Sequence, residues 1–600
     1  MFRLAAAALG LSVLAACSGH SALSSIPPVS NQGSATQTAA QTQTVTRRAA
    51  TLPAAPAGWA TTATQALTLA NASDLGPLSP SQPLTIRLGL ALRNMSQLTQ
   101  SLQGGGEIDP GTFTATYGPT SDTVAQATAY LQSQGFTNIQ VEPNNVLISA
   151  DGTAAIAQKA FNTTLHGFSQ NGLNVYANTA PAFVPQALGS SVVAVLGLNN
   201  AQVARTNPRK QAAPPNPTPC TANVEGLCPR NYDPGSFQLA YDAVGTPTGS
   251  NTAIAIMTEG QLATSIADFR TNEQKFNLPQ VPVTIVHVGA QGADTSGNDE
   301  WTLDMTYSSG MAGQLRQLYL YNFPSLSDSD IVLGYSRWAT DKKAKIANSS
   351  FGGCEAFPYL DGAMLVADEI LVEAAAQGQT MFVSTGDTGA YCGVAGVPPN
   401  GAPGGLPFAE WPAVSPYVVA VGGTDLFSNP DGSYLGESAW EAGGGGLSQF
   451  EYSPYWESPT QPVGTTPAGL SFRGLPDVAM DAALETGALL YTSTPAVNGS
   501  CTPCITGGTS LASPLAAGVW ARLQSAHGNA LGFAPIKLYR IYASNPSPSE
   551  TSGGPPPTQL VGGFHDILSG SNGGYTALPR FDYTTGMGSF DVGKTVAAIQ

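Results

Sequence analysis

The sequence predicts an α/β protein of two folded units. A mostly parallel sheet flanked by helices on both faces follows a smaller α+β module of the ferredoxin-like kind. Three observations carry this expectation. Beyond about residue 232, apolar strand patterns alternate with helical ones. Across residues 56–205, strands and helices follow the order of a split βαβ unit. Between the two, residues 206–231 are polar and Pro-rich, the composition of an exposed linker. A chain of 600 residues is long enough to bury both cores.

Taken in order, residues 1–17 contain Arg3 and a short apolar run that cannot span a bilayer, so they read as an export signal. Leu14-Ala15-Ala16-Cys17 resembles the bacterial lipobox, whose cysteine is lipidated and becomes the new N-terminus. An ordinary secretory signal is the alternative. Residues 18–55 are rich in Ser, Ala, Gln and Thr and suit a flexible tether. In the first unit "LTIRLGLALR" alternates like a strand. "SDTVAQATAYLQSQG" reads as a helix with Ser121 as N-cap and Gly135 as its stop. "NIQVEPNNVLISA" gives paired strands and "DGTAAIAQKAF" a second helix. A hairpin turns at Asn171-Gly172, and "SVVAVLGL" closes the unit. In the second unit the strand patterns are "TAIAIMTE", "VPVTIVHVG", "LRQLYLYNF", "KAKIANSSFG", "TMFVSTGD" and "YVVAVGG".

Composition narrows the chemistry. A net charge of -16 argues against a nucleic-acid partner. Charged residues are only 10% of the chain, so its charge changes little in acid, which fits an acidic habitat. Apart from Cys17, six cysteines remain, an even number that suggests disulfides in an exported chain. Sequence proximity favours 220–228, 354–392 and 501–504, although six cysteines allow fifteen pairings. Zinc is the rival reading, and no neighbouring His supports it.

The stretch "ITGGTSLASPLAAGVWARLQ", residues 505–524, has the form of a nucleophile turn entering a helix, with Ser510 at its mouth. A serine hydroxyl needs a base. The five histidines, His20, His166, His287, His527 and His565, all lack a catalytic context. Carboxylates offer a better base. Glu300 and Asp304 lie four apart on one face of the helix in "NDEWTLDMTYSSGMAG", and Asp387 ends a strand in a Gly-rich turn.

These motifs resemble the sedolisins, or serine-carboxyl peptidases, a family with a subtilisin-like fold. The resemblance rests on "EWTLD" (300–304), "STGDTG" (384–389), and "GGTS" (507–510) followed by Ser513-Pro514. "NSSFGGCE", "WPAVSPYVVAVGGTDL" and "GLPDVAMDA" support it. It implies a propeptide at 56–205, a processing linker at 206–231 and a peptidase domain at 232–600. It also implies Ser510 as nucleophile, Glu300 as general base and acid, Asp304 as its orienting partner and Asp387 in the oxyanion hole. A carboxyl donates a hydrogen bond only when protonated, so these roles point to an acidic optimum.

"FHDILSG" and "LPRFDYTTGMGSFDVG" resemble the family's calcium site. Carried over, it implies one calcium ion (Ca2+) held by the side chains of Asp566 and Asp582 and the carbonyls of Ile567, Leu578 and Arg580. Hard oxygen donors suit that ion. Leu578 and Arg580 depart from the family's usual Gly.

The expectation is therefore an exported acid endopeptidase made as a self-processing precursor. It would be a monomer acting on protein or peptide substrates, inhibited by its own propeptide and tied to the membrane only through Cys17. The precursor would be a cell-envelope lipoprotein and its mature domain periplasmic or extracellular. The rivals are a subtilisin using His287, a tripeptidyl-type exopeptidase, a non-peptidase hydrolase and a catalytically silent binding lipoprotein.

Overall fold

The computed structural model describes residues 54–206, 209–212, 230–392, 408–457, 471–494, 502–545, 547–551 and 556–600. The expected signal with Cys17, most of the tether, and Cys220, Cys228 and Cys501 lie outside the described residues.

The alternating run at 83–90 forms β1 (Pro83–Leu90), with Ile86, Leu88 and Leu90 fully buried. It lies inside a four-stranded antiparallel sheet with β2 (Thr137–Val141), β3 (Leu147–Thr153) and β6 (Val192–Leu196). The spatial order is β2-β3-β1-β6, with β3 inserted between β1 and β2. That is the split βαβ arrangement expected from sequence. Helix α3 (Ser121–Gln134) and helix α4 (Ala154–Ala160) pack Leu131 and Ala157 into this core. The N-cap of α3 is Thr120, one residue before the expected Ser121, because its hydroxyl accepts from the Thr123 N–H. Gly135 ends α3 at φ 97, as expected of a left-handed cap. The hairpin β4 (Leu165–Gln170) and β5 (Leu173–Asn178) turns on Asn171 and Gly172, both at positive φ.

Two helices escaped the sequence pattern. These are α1 (Met95–Gly104) and α2 (Pro110–Thr116), whose Leu98, Leu102 and Phe113 join the core of the second unit. Each alone buries too few residues to show a clear period. The two units meet closely. A Cβ at Gly89 of β1 would stand 2.3 Å from Val366, so only glycine lets the sheet settle there. The Arg87 guanidinium bonds Asp330 at 2.7 Å, and the Asn144 amide donates to Glu373 at 2.7 Å.

In the second unit an eight-stranded sheet comprises β8 (Ala253–Glu259), β9 (Val283–His287), β10 (Gln317–Phe323), β11 (Ile346–Ser349), β12 (Thr380–Ser384), β13 (Val419–Ser428), β14 (Tyr434–Ala439) and β15 (Val478–Asp481). The order is β9-β10-β8-β11-β12-β13-β14, with β15 also paired to β13. All pairings are parallel except β13–β14. Such a sheet is apolar on both faces because helices cover both. Helices α5 (Asn298–Ala312) and α7 (Thr509–Ala526) run through the centre. All of α5 except Asp299 is buried, so it shows no polar face. Gly518 lets the two helices touch, since a Cβ there would lie 2.6 Å from the Ser308 carbonyl. Cys354 and Cys392 are joined in a disulfide, as expected, and Cys504 is also disulfide-bonded.

Candidate active site

Ser510 is the second residue of α7, following β17 (Cys504–Gly507) and the turn at Gly508, whose φ is 106. Glu300 and Asp304 project from the facing helix α5. The carboxyl end of β12 leads into Gly386 and Asp387. Ser510, Glu300, Asp304 and Asp387 are all buried. The structure thus assembles the four residues that sequence singled out.

Each is held by specific partners. Asp387 Oδ1 accepts from the Thr509 N–H at 2.8 Å and from its hydroxyl at 2.9 Å. It thereby caps the start of α7, where Gly508 supplies no side-chain cap. Asp304 Oδ1 accepts from the Ser350 hydroxyl at 2.7 Å. Ser350 in turn accepts from Asn348 Nδ2 at 2.9 Å, and Asn348 Oδ1 accepts from the Ser513 hydroxyl at 2.7 Å. A buried relay therefore runs from α7 through β11 to Asp304. Neither oxygen of Glu300 has a hydrogen-bond partner of ordinary geometry, although the nearby Ser510 hydroxyl favours its ionised form. Catalytic contacts are commonly loose before substrate arrives.

Burial raises the pKa of Glu300 well above the ordinary range, and the Asp304 and Asp387 charges add to that. Asp304 is raised chiefly by burial, opposed by its Ser350 and Asn348 bonds. Two such acids titrate as a pair. Half-buried Glu410 is pushed up to about 8 by desolvation and by the charge of Asp387. No alternative base comes from the described histidines. His166 pairs with Asp74, and His527 Nδ1 lies 2.9 Å from the Leu523 carbonyl. His565 stacks on Tyr434, and His287 is exposed on the edge strand β9. Sequence reasoning quoted Asn348, Ser350 and Ser513 without assigning them a task, and it missed Glu410.

The second constellation also converges. Asp566 and Asp582 are buried; desolvation, opposed by the Gln559 and Arg580 hydrogen bonds and aided by the Asp582 charge, raises Asp566 to about 7, and burial raises Asp582 as well. Asp566 Oδ2 accepts from the Gln559 amide and the Arg580 N–H, whereas its buried Oδ1 has no partner. Asp582 accepts from the Leu578 N–H at 2.9 Å. Arg580 adopts φ 73, the conformation its glycine counterpart would favour. Its guanidinium lies 4.4 Å over the Tyr542 ring and bonds the Asn545 carbonyl, which directs its charge away. Two carboxylates, one with an orphaned oxygen, fit a hard cation.

Comparison with known proteins gives one consistent answer. The family described as "Pro-kumamolisin, activation domain" matches residues 70–201, and the Subtilase family matches residues 302–542. Sedolisin of Pseudomonas sp. (strain 101) is 36% identical over 561 residues, covering 88% of this chain and 89% of that protein. Xanthomonalisin of Xanthomonas sp. (strain T-22) is 36% identical over 575 residues, covering 86% of this chain and 65% of that protein. The solved structure of Pseudomonas sedolisin, a serine-carboxyl proteinase complexed with two molecules of pseudo-iodotyrostatin, superposes with a TM-score of 0.54 at 36% identity. It covers 62% of this chain and 98% of that one. With its activation domain ahead of a subtilase-type peptidase domain, the chain belongs to the sedolisin family of serine-carboxyl peptidases.

Proposed function

We propose that the protein is an acid-active endopeptidase working through an acyl-enzyme on Ser510. The observation that carries this reading is the burial of Ser510 against the coupled acids Glu300 and Asp304, with every described histidine engaged or exposed elsewhere. Ser510 Oγ attacks the peptide carbonyl while Glu300 takes its proton. Asp387, protonated, donates to the oxyanion. Its Oδ1 is committed as acceptor to Thr509, so the donated proton belongs on Oδ2. Collapse breaks the C–N bond, and Glu300 returns the proton to the leaving amine. Water then repeats the sequence in reverse roles and frees Ser510. Asp304, fixed by the Ser350 relay, orients Glu300 and shares a proton with it.

The activation domain acts as an intramolecular inhibitor, released when the chain cuts itself between 206 and 231. Asp566, Asp582 and the carbonyls of Ile567, Leu578 and Arg580 would hold one calcium ion, whose charge offsets two buried carboxylates. Lipidation at Cys17 would tie the precursor to the cell envelope, and cleavage in the linker would free the catalytic domain from that anchor.

The test is Ser510→Ala in the full-length precursor. It should leave an uncut chain and no cleavage of a denatured protein at pH 3 to 4. Normal processing of that purified variant without a helper protease would refute the assignment. Mass analysis of wild-type products separates internal cuts from successive tripeptides.

A further inference from the structure

Strand β7 (Arg209–Ala212) lies in the linker and pairs antiparallel with β17, Arg209 opposite Gly507 and Lys210 opposite Thr506. β17 is the strand that enters the Ser510 turn. Further upstream, the Arg205 N–H donates to the Gly352 carbonyl at 2.9 Å, and the Gly352 N–H donates back to the Arg205 carbonyl at 3.2 Å. Gly352 follows the Asn348–Ser350 relay by two residues. The linker therefore adds backbone to both walls that carry catalytic groups, at Arg205 and along β7, which is how a peptide binds an open sheet edge. Its direction puts the N-terminal part on the Gly352 wall and the C-terminal part on β17. A substrate laid in the same direction has its leaving-amine side on β17.

One linker side chain on that side enters a built acceptor pocket. Lys210 Nζ donates to Asp299 Oδ2 at 2.5 Å and to the Thr494 carbonyl at 2.9 Å. The Thr492 hydroxyl holds the other Asp299 oxygen at 2.5 Å. Only 11% of the Lys210 side chain and 13% of the Asp299 side chain meet solvent. Asp299 is the one residue of α5 that is not buried, and it immediately precedes Glu300. Asp299 and the Thr494 carbonyl thus offer two acceptors to a cation.

Resting on the peptidase reading above, we propose that Asp299 and the Thr494 carbonyl form a leaving-side subsite for a basic side chain. It selects Lys or Arg at the substrate residue that pairs with Thr506, and Lys210 fills it in the precursor. A charge-assisted bond shielded from solvent discriminates by roughly tenfold.

The experiment digests a denatured protein with the acid-activated full-length chain and maps the cuts by mass spectrometry. Lys and Arg should be enriched roughly tenfold at one fixed position after the cut, and Asp299→Asn should abolish that enrichment relative to other positions. A wild-type map without it, or enrichment that persists in Asp299→Asn, overturns the proposal. Should the chain cut nothing, the peptidase reading itself fails. The pocket is then read in the uncut Ser510→Ala chain by hydrogen exchange. There, amides 209–212 should exchange roughly tenfold faster in both Asp299→Asn and Lys210→Met backgrounds, and unchanged exchange overturns the pocket as well.

Discussion

The activation domain and the peptidase domain differ in how many acidic side chains they bury. Among the described residues the first buries Arg87, Asn144 and Asn178 but no Asp or Glu. Its Asp74 and Asp109 lie in solvent, held below the usual range by the Gly76 N–H and by Thr112 respectively. The peptidase domain buries Glu259, Glu300, Asp304, Glu355, Glu373, Glu457 and Asp481, among others. Desolvation pushes Glu259, Glu355 and Glu373 up to about 7 and Glu457 up to about 8. The signs follow by linkage. A depressed acid stabilises above its ordinary pKa and loses that contribution as pH falls. A raised acid leaves stability intact in acid and removes it as pH rises through the folded value. Acid therefore favours the peptidase domain over its inhibitor. A chain with so few charges has concentrated its acids where a low pH keeps them neutral.

The largest effect should come from an acid that must be neutral to function. Asp387→Ala should lower kcat/KM by roughly 10²–10³, the usual loss of one oxyanion donor. Asp387→Asn keeps both the cap on Thr509 and a donor that needs no added proton. Its pH–rate profile should lose the alkaline limb that Asp387 imposes, with a lower maximum. An unchanged profile in both variants would reduce Asp387 to a capping residue.

Next comes stability itself. Glu355 accepts from the Ser448 hydroxyl and the Gln449 N–H, yet burial still carries it to about 7 from an ordinary 4.5. Its contribution is fully present below pH 4.5 and gone once pH passes about 7, a loss on the order of 3 kcal/mol. Calorimetry of Ser510→Ala precursor across this range should show the peptidase transition falling as pH rises. Glu355→Gln should flatten that slope. A peptidase domain equally stable at both ends would erase the contrast between the two domains.

The sequence disclosed more of the peptidase domain than of its surroundings, for reasons visible in particular residues. Six apolar strands and the Glu300–Asp304 spacing are local patterns, and a period or a motif displays them. The relay through Ser513, Asn348 and Ser350 joins residues 165 apart at its first step, and no local pattern encodes that contact. Helices α1 and α2 were invisible because their apolar faces answer to the other domain's core. The Lys210–Asp299 pair joins positions 89 apart through a strand whose only signal was a polar, Pro-rich composition.

If the proposed site at Asp566 and Asp582 holds calcium, removing it should have a smaller effect, confined to the peptidase domain. A site occupied at 100 times its dissociation constant adds about 2.7 kcal/mol to the folded state. EDTA near neutral pH should lower the peptidase transition and leave the activation domain's transition in place. An unmoved transition, with no metal found by elemental analysis, would rule out the site at Asp566 and Asp582.

The smallest effect concerns the contact between the two domains, where acids of both kinds meet. Asp330 is paired with Arg87 and also accepts from the Ser325 hydroxyl, beside a polar cavity of about 630 Å³. Glu373 accepts from Asn144, and Asp361 accepts from Asn199 and shares a hydrogen bond with Asp328. Burial pushes Glu373 to about 7 and Asp361 to about 6, so acid leaves these two contacts intact. Ion pairs also cross this contact, Arg87–Asp330 at 2.7 Å and Lys345–Glu107 at 2.6 Å, and an ion pair needs a charged carboxylate. Arg87→Met should weaken docking of the cleaved activation domain by roughly 1 kcal/mol at neutral pH, since the cavity screens the pair. It should weaken docking less in acid, since protonating a carboxylate removes its half of an ion pair. Size-exclusion separation of the two fragments at each pH measures this directly. Equal weakening at both pH values would assign Arg87 a packing role and shift the acid response to other groups.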